Sequence, residues 1–269
     1  MALTSSTPDA LWADPAVRVL RPAALRATDV RRGRAIDGCS LAVPVGMRLL
    51  LVSEPDGPAS TLVRILAGLA RPSRGRVEIA GLRDASPGGW GRRVAYLGPE
   101  PGIRPWMTPR EALVLAADLL ELEGEEAERR IRRALAWTRI DAGSADRPVR
   151  RGGLPLLQRT GLAASLVGDP ELLLLDEPLR AIDAEERRRM LRLPGRRRTI
   201  VLASRYPASE EGLVSHVALL RGGRIALVAP VEALGQAGLP LSGRGIATLA
   251  ELRDRIRGAP PAVRAPAAR

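Results

Sequence analysis

Short apolar runs alternate with amphipathic segments along most of the chain, the pattern of a sheet interleaved with helices. Met47 to Ser53 (MRLLLVS) is nearly continuous in apolar residues, as a strand buried on both faces of a parallel sheet should be. Leu62, Ile65, Leu66 and Leu69 then recur at i, i+3, i+4 and i+7, which predicts a helix over 60–70 with one buried face. Arg71-Pro72 ends it, and Arg76 to Ala80 opens another strand. Further strands are predicted at Arg93 to Leu97, Leu172 to Leu175 and Thr199 to Ala203, and Val217 to Val228 reads as a hairpin turned at Gly222-Gly223. No internal repeat is present. The sum is an α/β domain.

Residues 109–140 interrupt this alternation with a purely helical insertion. Pro109 stands where a first helical turn tolerates it, EALVLAADLLEL is nearly all apolar, and Gly124 breaks the run. In the second helix Glu125, Glu126 and Glu128 each precede Arg129, Arg130 and Arg132 by four residues, the order that supports an exposed helix. The arginine clusters here and at Arg187 to Arg189 read as solvated helix faces. Residues 1–17 and 258–269 are rich in Pro, Ala and Arg without periodicity, so both ends are expected to be flexible tails. The expected organisation is a tail over 1–17, one domain over 18–235 with a helical subdomain at about 100–155, and a C-terminal extension over 236–269.

Composition changes this picture in one respect. All 42 basic residues are arginine, and the 269-residue chain lacks lysine, asparagine and phenylalanine. Chemistry that needs an ammonium group is therefore excluded, including a lysine contact to phosphate. The net charge of +12 is spread among glutamates, and only six aromatics are available to stack on bases, so nucleic acid is not an expected partner. Cys39, the single cysteine, fits a reducing compartment as a small buried residue. No apolar stretch approaches a membrane span, and the first residues lack the pattern of a signal peptide, which fits a cytosolic or peripheral protein.

The strongest chemical signal is Glu171-Leu-Leu-Leu-Leu-Asp-Glu-Pro178. Four apolar residues bury a strand whose end delivers Asp176 and Glu177 to the edge where open α/β sheets bind ligands. Such a pair suits a magnesium nucleotide, one carboxylate holding the metal and the other polarising water, although a strand followed by an acidic helix cap is also consistent with it. Upstream, strand 47–53, loop Glu54 to Ala59 and helix 60–70 have the strand–loop–helix layout of a P-loop, with Ser60 and Thr61 opening the helix.

The segment from Ser60 to Gly81, with Leu172 to Pro178 and Ala181-Ile182-Asp183, resembles the nucleotide-binding subunit of ATP-binding cassette (ABC) transporters over roughly residues 20–235. The resemblance implies an α/β P-loop NTPase fold: a RecA-like core, a helical subdomain and an antiparallel β portion. It also implies ATP and Mg2+ as ligands, a separate transmembrane permease subunit, a second ATP-binding subunit in a homodimer or heterodimer, and a place on the cytoplasmic face of the membrane. Carried onto this chain, the catalytic carboxylate is Glu177, the nucleotide contacts are Ser53, Gly57, Ser60, Thr61 and Asp176, and the magnesium ligands are Ser60 and Asp176. Asp183 falls at the D-loop aspartate. For Ser60-Thr61 plain helix capping is the competing reading.

Several positions depart from the family pattern. Aligned on G-x-x-x-x-G-K-[ST], the loop reads Ser53-Glu-Pro-Asp-Gly-Pro-Ala-Ser60, with Ser53 and Pro58 at the glycines and Ala59 at the lysine. Pro55 and Pro58 remove N–H donors, and Glu54 and Asp56 add charges that each oppose phosphate by about 3 kcal/mol at ~5 Å and an effective dielectric near 20, before screening. Pro99 takes the place of the Q-loop glutamine. Gly153, Leu154 and Pro155 take the signature Ser-Gly-Gly before Gln158-Arg159, while Leu241 to Gly245 (LSGRG) imitates the signature but reads as a loop. Arg205 takes the place of the switch histidine, and the only histidine, His216, falls at the start of a later strand. No aromatic stands at the adenine-stacking place near Val30-Arg31-Arg32; Arg31 or Arg32 stacking on a base is one reading, and a solvated surface is the favoured one. The expectation is a subunit with impaired or absent ATP binding and hydrolysis, a pseudoenzyme supporting an active partner; the alternative is a working ATPase with an unusual P-loop.

Overall fold

The computed structural model describes residues 22–53, 57–79, 82–83, 93–193, 198–205, 210 and 212–233. Both predicted tails, the C-terminal extension from 236 and the Leu241 to Gly245 loop lie outside them. Two sheets enclose most of the core. The larger has six strands in the order β10-β9-β3-β8-β7-β6, formed by β3 (Arg48–Ser53), β6 (Val94–Leu97), β7 (Leu172–Asp176), β8 (Thr199–Ala203), β9 (His216–Arg221) and β10 (Arg224–Pro230). All its neighbours are parallel except the β9–β10 hairpin. Every residue of β7 and β8 is buried, which is why both read as unbroken apolar runs.

The smaller sheet is antiparallel, in the order β2-β1-β4-β5, with β1 (Ala23–Arg32), β2 (Ile36–Pro44), β4 (Arg74–Ile79) and β5 (Leu82–Arg83). The strand predicted at 76–80 is β4, and it belongs to this sheet. Between the sheets lies α1 (Ala59–Leu66), whose Leu62, Val63, Ile65 and Leu66 pack against Leu25, Ile36, Leu49 and Leu51. Each such side chain contributes roughly 1.5–3 kcal/mol relative to exposure. The helix is shorter than the predicted 60–70. Gly68, at φ +72, turns the chain out of it, and Leu69, expected on the buried face, is 57% exposed.

The other face of the large sheet is covered by α6 (Ala184–Leu191), with Met190 and Leu191 against Leu50, Val52, Leu173 and Leu175. The insertion contributes a third cluster from α2 (Pro109–Leu119), α3 (Gly124–Trp137), α4 (Ala142–Ala145) and α5 (Gly153–Leu166). Thr108 and Glu111 form a capping box around Pro109, as the Pro at the first turn predicts. Gly124 is the first residue of α3, at φ +57, so the break falls just before it. Glu126 pairs with both Arg129 and Arg130, and Glu128 with Arg132 at 3.1 Å.

One arginine cluster is not the solvated face that its sequence predicts. Arg187 is 8% exposed and holds Glu210, itself fully buried, at 2.5 Å, while its Nε donates to the carbonyl of Pro178 at 3.0 Å. Cys39 is buried in β2 as expected, and burial pushes its thiol up to about 12, so it is unreactive. His216 opens β9, half-buried, and burial holds its imidazole below the ordinary value of 6.5.

The hairpin locks the two sheets together. Gly222 and Gly223 both have positive φ, the requirement of a tight primed turn, and the Asp37 N–H donates to Gly223 O at 2.9 Å while Arg224 pairs with Asp37 at 3.1 Å. A Cβ on Gly223 (φ +79) would lie 2.7 Å from Ala35 O. Gly223→Ala is expected to cost roughly 2 kcal/mol in urea unfolding, against about 1 kcal/mol for Gly33→Ala. Gly33 also has positive φ but has no atom within 4 Å of its Cβ position, so equal losses would show that the close approach is immaterial.

Candidate nucleotide site

Because β3, β6, β7 and β8 run parallel, the segments leaving them emerge at one edge of the sheet, and the site is assembled there. Ser53 ends β3, half-buried, and Gly57 and Pro58 lead into α1. Glu54, Pro55 and Asp56, the source of two opposing charges and one missing donor in the sequence, lie outside the described residues. Pro58 is the N-cap of α1 and no side chain caps the helix, so Ser60 is not a capping residue. Its Oγ instead donates to Asp176 Oδ1 at 2.7 Å. Thr61 follows on α1, half-buried. The α1 N–H groups before Leu62, whose own N–H meets the Pro58 carbonyl at 2.9 Å, have no earlier helical carbonyl to meet and present a partial positive charge here.

Asp176, the last residue of β7, is 2% exposed, and its second oxygen accepts from Tyr96 OH at 3.4 Å. Burial and the Asp176 charge together push the Tyr96 phenol up to about 12, which keeps it a donor at neutral pH. Glu177 turns away from the strand at φ +48, its N–H donating to Ala203 O at 3.0 Å. Its Oε1 accepts from the Arg205 backbone N–H at 2.7 Å and lies 3.3 Å from Arg205 Nε. Burial raises the Glu177 carboxyl above its ordinary value; the Arg205 contacts oppose that shift without cancelling it.

Three of these relations carry no sequence signal. Tyr96 stands in the chain only as one residue of the strand predicted at 93–97, and the contact between Arg205 and Glu177 joins positions 28 residues apart. Gln158, on α5, is 2% exposed and accepts the Ala181 N–H at 2.8 Å, which ties the signature helix to the segment after Glu177. Asp183, expected as the D-loop aspartate, caps α6 by accepting the Glu186 N–H at 2.9 Å. Arg31 is held by Asp29 and Asp37, and Arg32 donates to the carbonyl of Arg71. Gly153 (φ +63) and Leu154, 41% exposed, open α5 at the place of the signature, and Pro99 lies on the loop after β6.

The donor set fits magnesium. Ser60 and Asp176 offer hard oxygen ligands from two elements, and among the described residues no cluster of three or more His, Cys, Asp or Glu forms a protein cage. Magnesium characteristically takes one or two protein oxygens and fills its shell with water and substrate phosphates.

The sequence profile described as ABC transporter matches residues 36–180. An uncharacterised ABC transporter ATP-binding protein of Nostoc sp. is 32% identical over 71% of this chain, which spans 58% of that protein. An aliphatic sulfonates import ATP-binding protein of Corynebacterium glutamicum is 32% identical over 71% of this chain and 75% of its own length. The fold is that of a solved ATP-binding subunit of an ABC transporter, with a TM-score of 0.75 and 22% identity over 86% of this chain and 99% of that one. With the P-loop layout, the carboxylate-bearing strand and the helical insertion in their places, the chain belongs to the ABC transporter family.

Proposed function

We propose that the chain is the ATP-binding subunit of an ABC import transporter and that it takes magnesium-ATP at the Ser60–Asp176 edge of the sheet. The observation that carries this reading is the 2.7 Å hydrogen bond between the Ser60 hydroxyl and the Asp176 carboxylate, which holds both candidate metal ligands together. Magnesium bound there neutralises phosphate charge. In this reading Glu177 orients and polarises water, and its raised affinity for a proton, caused mainly by burial, supports the role of a base. The likeness to a sulfonate import protein supports an importer, whose cassette covers residues 18–235 with its helical part at about 100–155. Such a subunit sits on the cytoplasmic face of the membrane, works with a separate permease and pairs with a second ATP-binding subunit. Among the described residues no helix is long and apolar enough to cross a membrane. Val114, Leu115 and Leu119 on α2 and the 64% exposed Trp106 supply an apolar surface for the permease.

A second reading, a subunit with impaired nucleotide chemistry that supports an active partner, is favoured by one group of observations. Ala59 brings no charge to the start of α1, and Leu154 and Pro155 replace the donors of the signature. Calorimetric titration of the full chain with ATP and magnesium separates the two. The first reading expects micromolar binding that Ser60→Ala and Asp176→Asn each weaken by about tenfold or more. Absence of binding, restored by Ala59→Lys, establishes the second.

A further inference from the structure

At the opposite edge of the large sheet, where β7 and β8 begin, a cavity of about 210 Å³ opens between α3, the end of α5 and Arg198. Four guanidinium groups line it, those of Arg129, Arg130, Arg133 and Arg198, and two carboxylates, Glu126 and Asp169. The carboxylates are committed: Glu126 to Arg129 and to Arg130 at 2.5 Å, and Asp169 to Arg198. Arg133 makes no ion pair among the described residues. The Nε–H of Arg198, whose side chain is 11% exposed, is buried without any hydrogen-bond partner. A buried guanidinium donor left unmatched is costly, and an acceptor in the cavity removes that cost. Two positive charges remain after the carboxylates are counted, which matches a dianion. The ring of Trp137 closes the apolar side, fixed by its Nε1 donating to Met190 O at 2.9 Å.

We propose that this cavity is a binding site for a phosphate dianion, separate from the nucleotide site and placed where the helical insertion meets the sheet. Arg198 and Arg133 grip the anion through charge-assisted hydrogen bonds, and the anion ties α3 to the start of β8. The α3 arginines keep the solvent exposure that the sequence predicts, Arg129 at 72%, and three of them also line this concavity.

The test is calorimetric titration of the full chain carrying Asp176→Asn, at low salt, with inorganic phosphate and separately with adenosine monophosphate. Saturable phosphate binding at about millimolar concentration or tighter is expected. Arg133→Gln, at an exposed position, and Arg198→Gln are each expected to weaken it by about tenfold. Equal affinity for the two ligands assigns the phosphate group alone; tighter binding of the monophosphate assigns a phosphate ester whose organic part lies against Trp137. No saturable binding of either ligand, or binding unchanged in both arginine variants, overturns the proposal.

Discussion

Glu177→Gln is expected to reduce ATP turnover by a factor of about 10² to 10⁴ while leaving magnesium-ATP affinity within about threefold. The neutral amide keeps the shape and can still accept the Arg205 N–H, which now meets the carboxylate at 2.7 Å, but it cannot draw a proton from water. The same substitution has a readout that does not involve turnover. Burial raises the Glu177 carboxyl above its ordinary value of 4.5, so the folded chain holds this proton more firmly than the unfolded one. Its effect on stability is therefore most favourable below the ordinary value and is lost as pH rises through the folded value. The amide variant should be more stable than the parent at neutral pH, with the gap closing below about 4.5. Thermal melts across that range check the sign. A parent chain that binds nucleotide but shows no turnover for Glu177→Gln to remove would sink the catalytic assignment.

Much of the core was legible because one signal dominated it. The central strands β3, β7 and β8 are buried on both faces, so their apolar runs are nearly continuous and need no knowledge of their partners. β1 and β2 escaped because each mixes buried and half-buried positions, with irregular register between Ala27 and Arg31. Leu69 kept the helical period but lies beyond Gly68, where the helix has already ended; periodicity alone does not register a backbone that has turned away. Arg187 failed differently. Its neighbours in sequence mark an exposed helix, and the carboxylate that buries it comes from position 210, a relation no local pattern contains.

The candidate site divides along the same line. Ser60, Asp176 and Glu177 stand at positions fixed by strand–loop–helix layouts, and motif spacing reached them. What spacing left open was whether Ser60 capped its helix or faced a metal. The capping reading falls, because Pro58 is the N-cap and the hydroxyl meets Asp176 across 116 residues of chain; the metal reading stands as the proposal. Tyr96 and Gln158 join through tertiary contacts and were invisible as functional groups. The loss of the lysine at Ala59 remains a fact of sequence, and the two acidic residues expected to repel phosphate, Glu54 and Asp56, lie outside the described residues.

Arg187→Met is expected to destabilise the chain by about 3–5 kcal/mol, a loss larger than that of either glycine substitution at the turns. The cause is not the attraction forfeited but the charge left behind. Glu210 is fully buried, its Oε1 is matched by Arg187 at 2.5 Å, and its Oε2 has no partner. Without the guanidinium a carboxylate is stranded in the interior. Arg187 also donates to the Pro178 carbonyl, immediately after Glu177, so its loss loosens the turn that presents the proposed catalytic carboxylate. Two companions separate these effects in urea unfolding. Arg187→Met combined with Glu210→Leu removes both charges and should recover most of the stability, as apolar replacement of a buried pair commonly does. It should not recover turnover, because the brace on Pro178 is still missing. A single variant that loses less than about 1 kcal/mol would mean that Glu210 finds another partner or water. A double variant with full turnover would mean that the Glu177 turn holds itself, and that the buried pair serves stability alone.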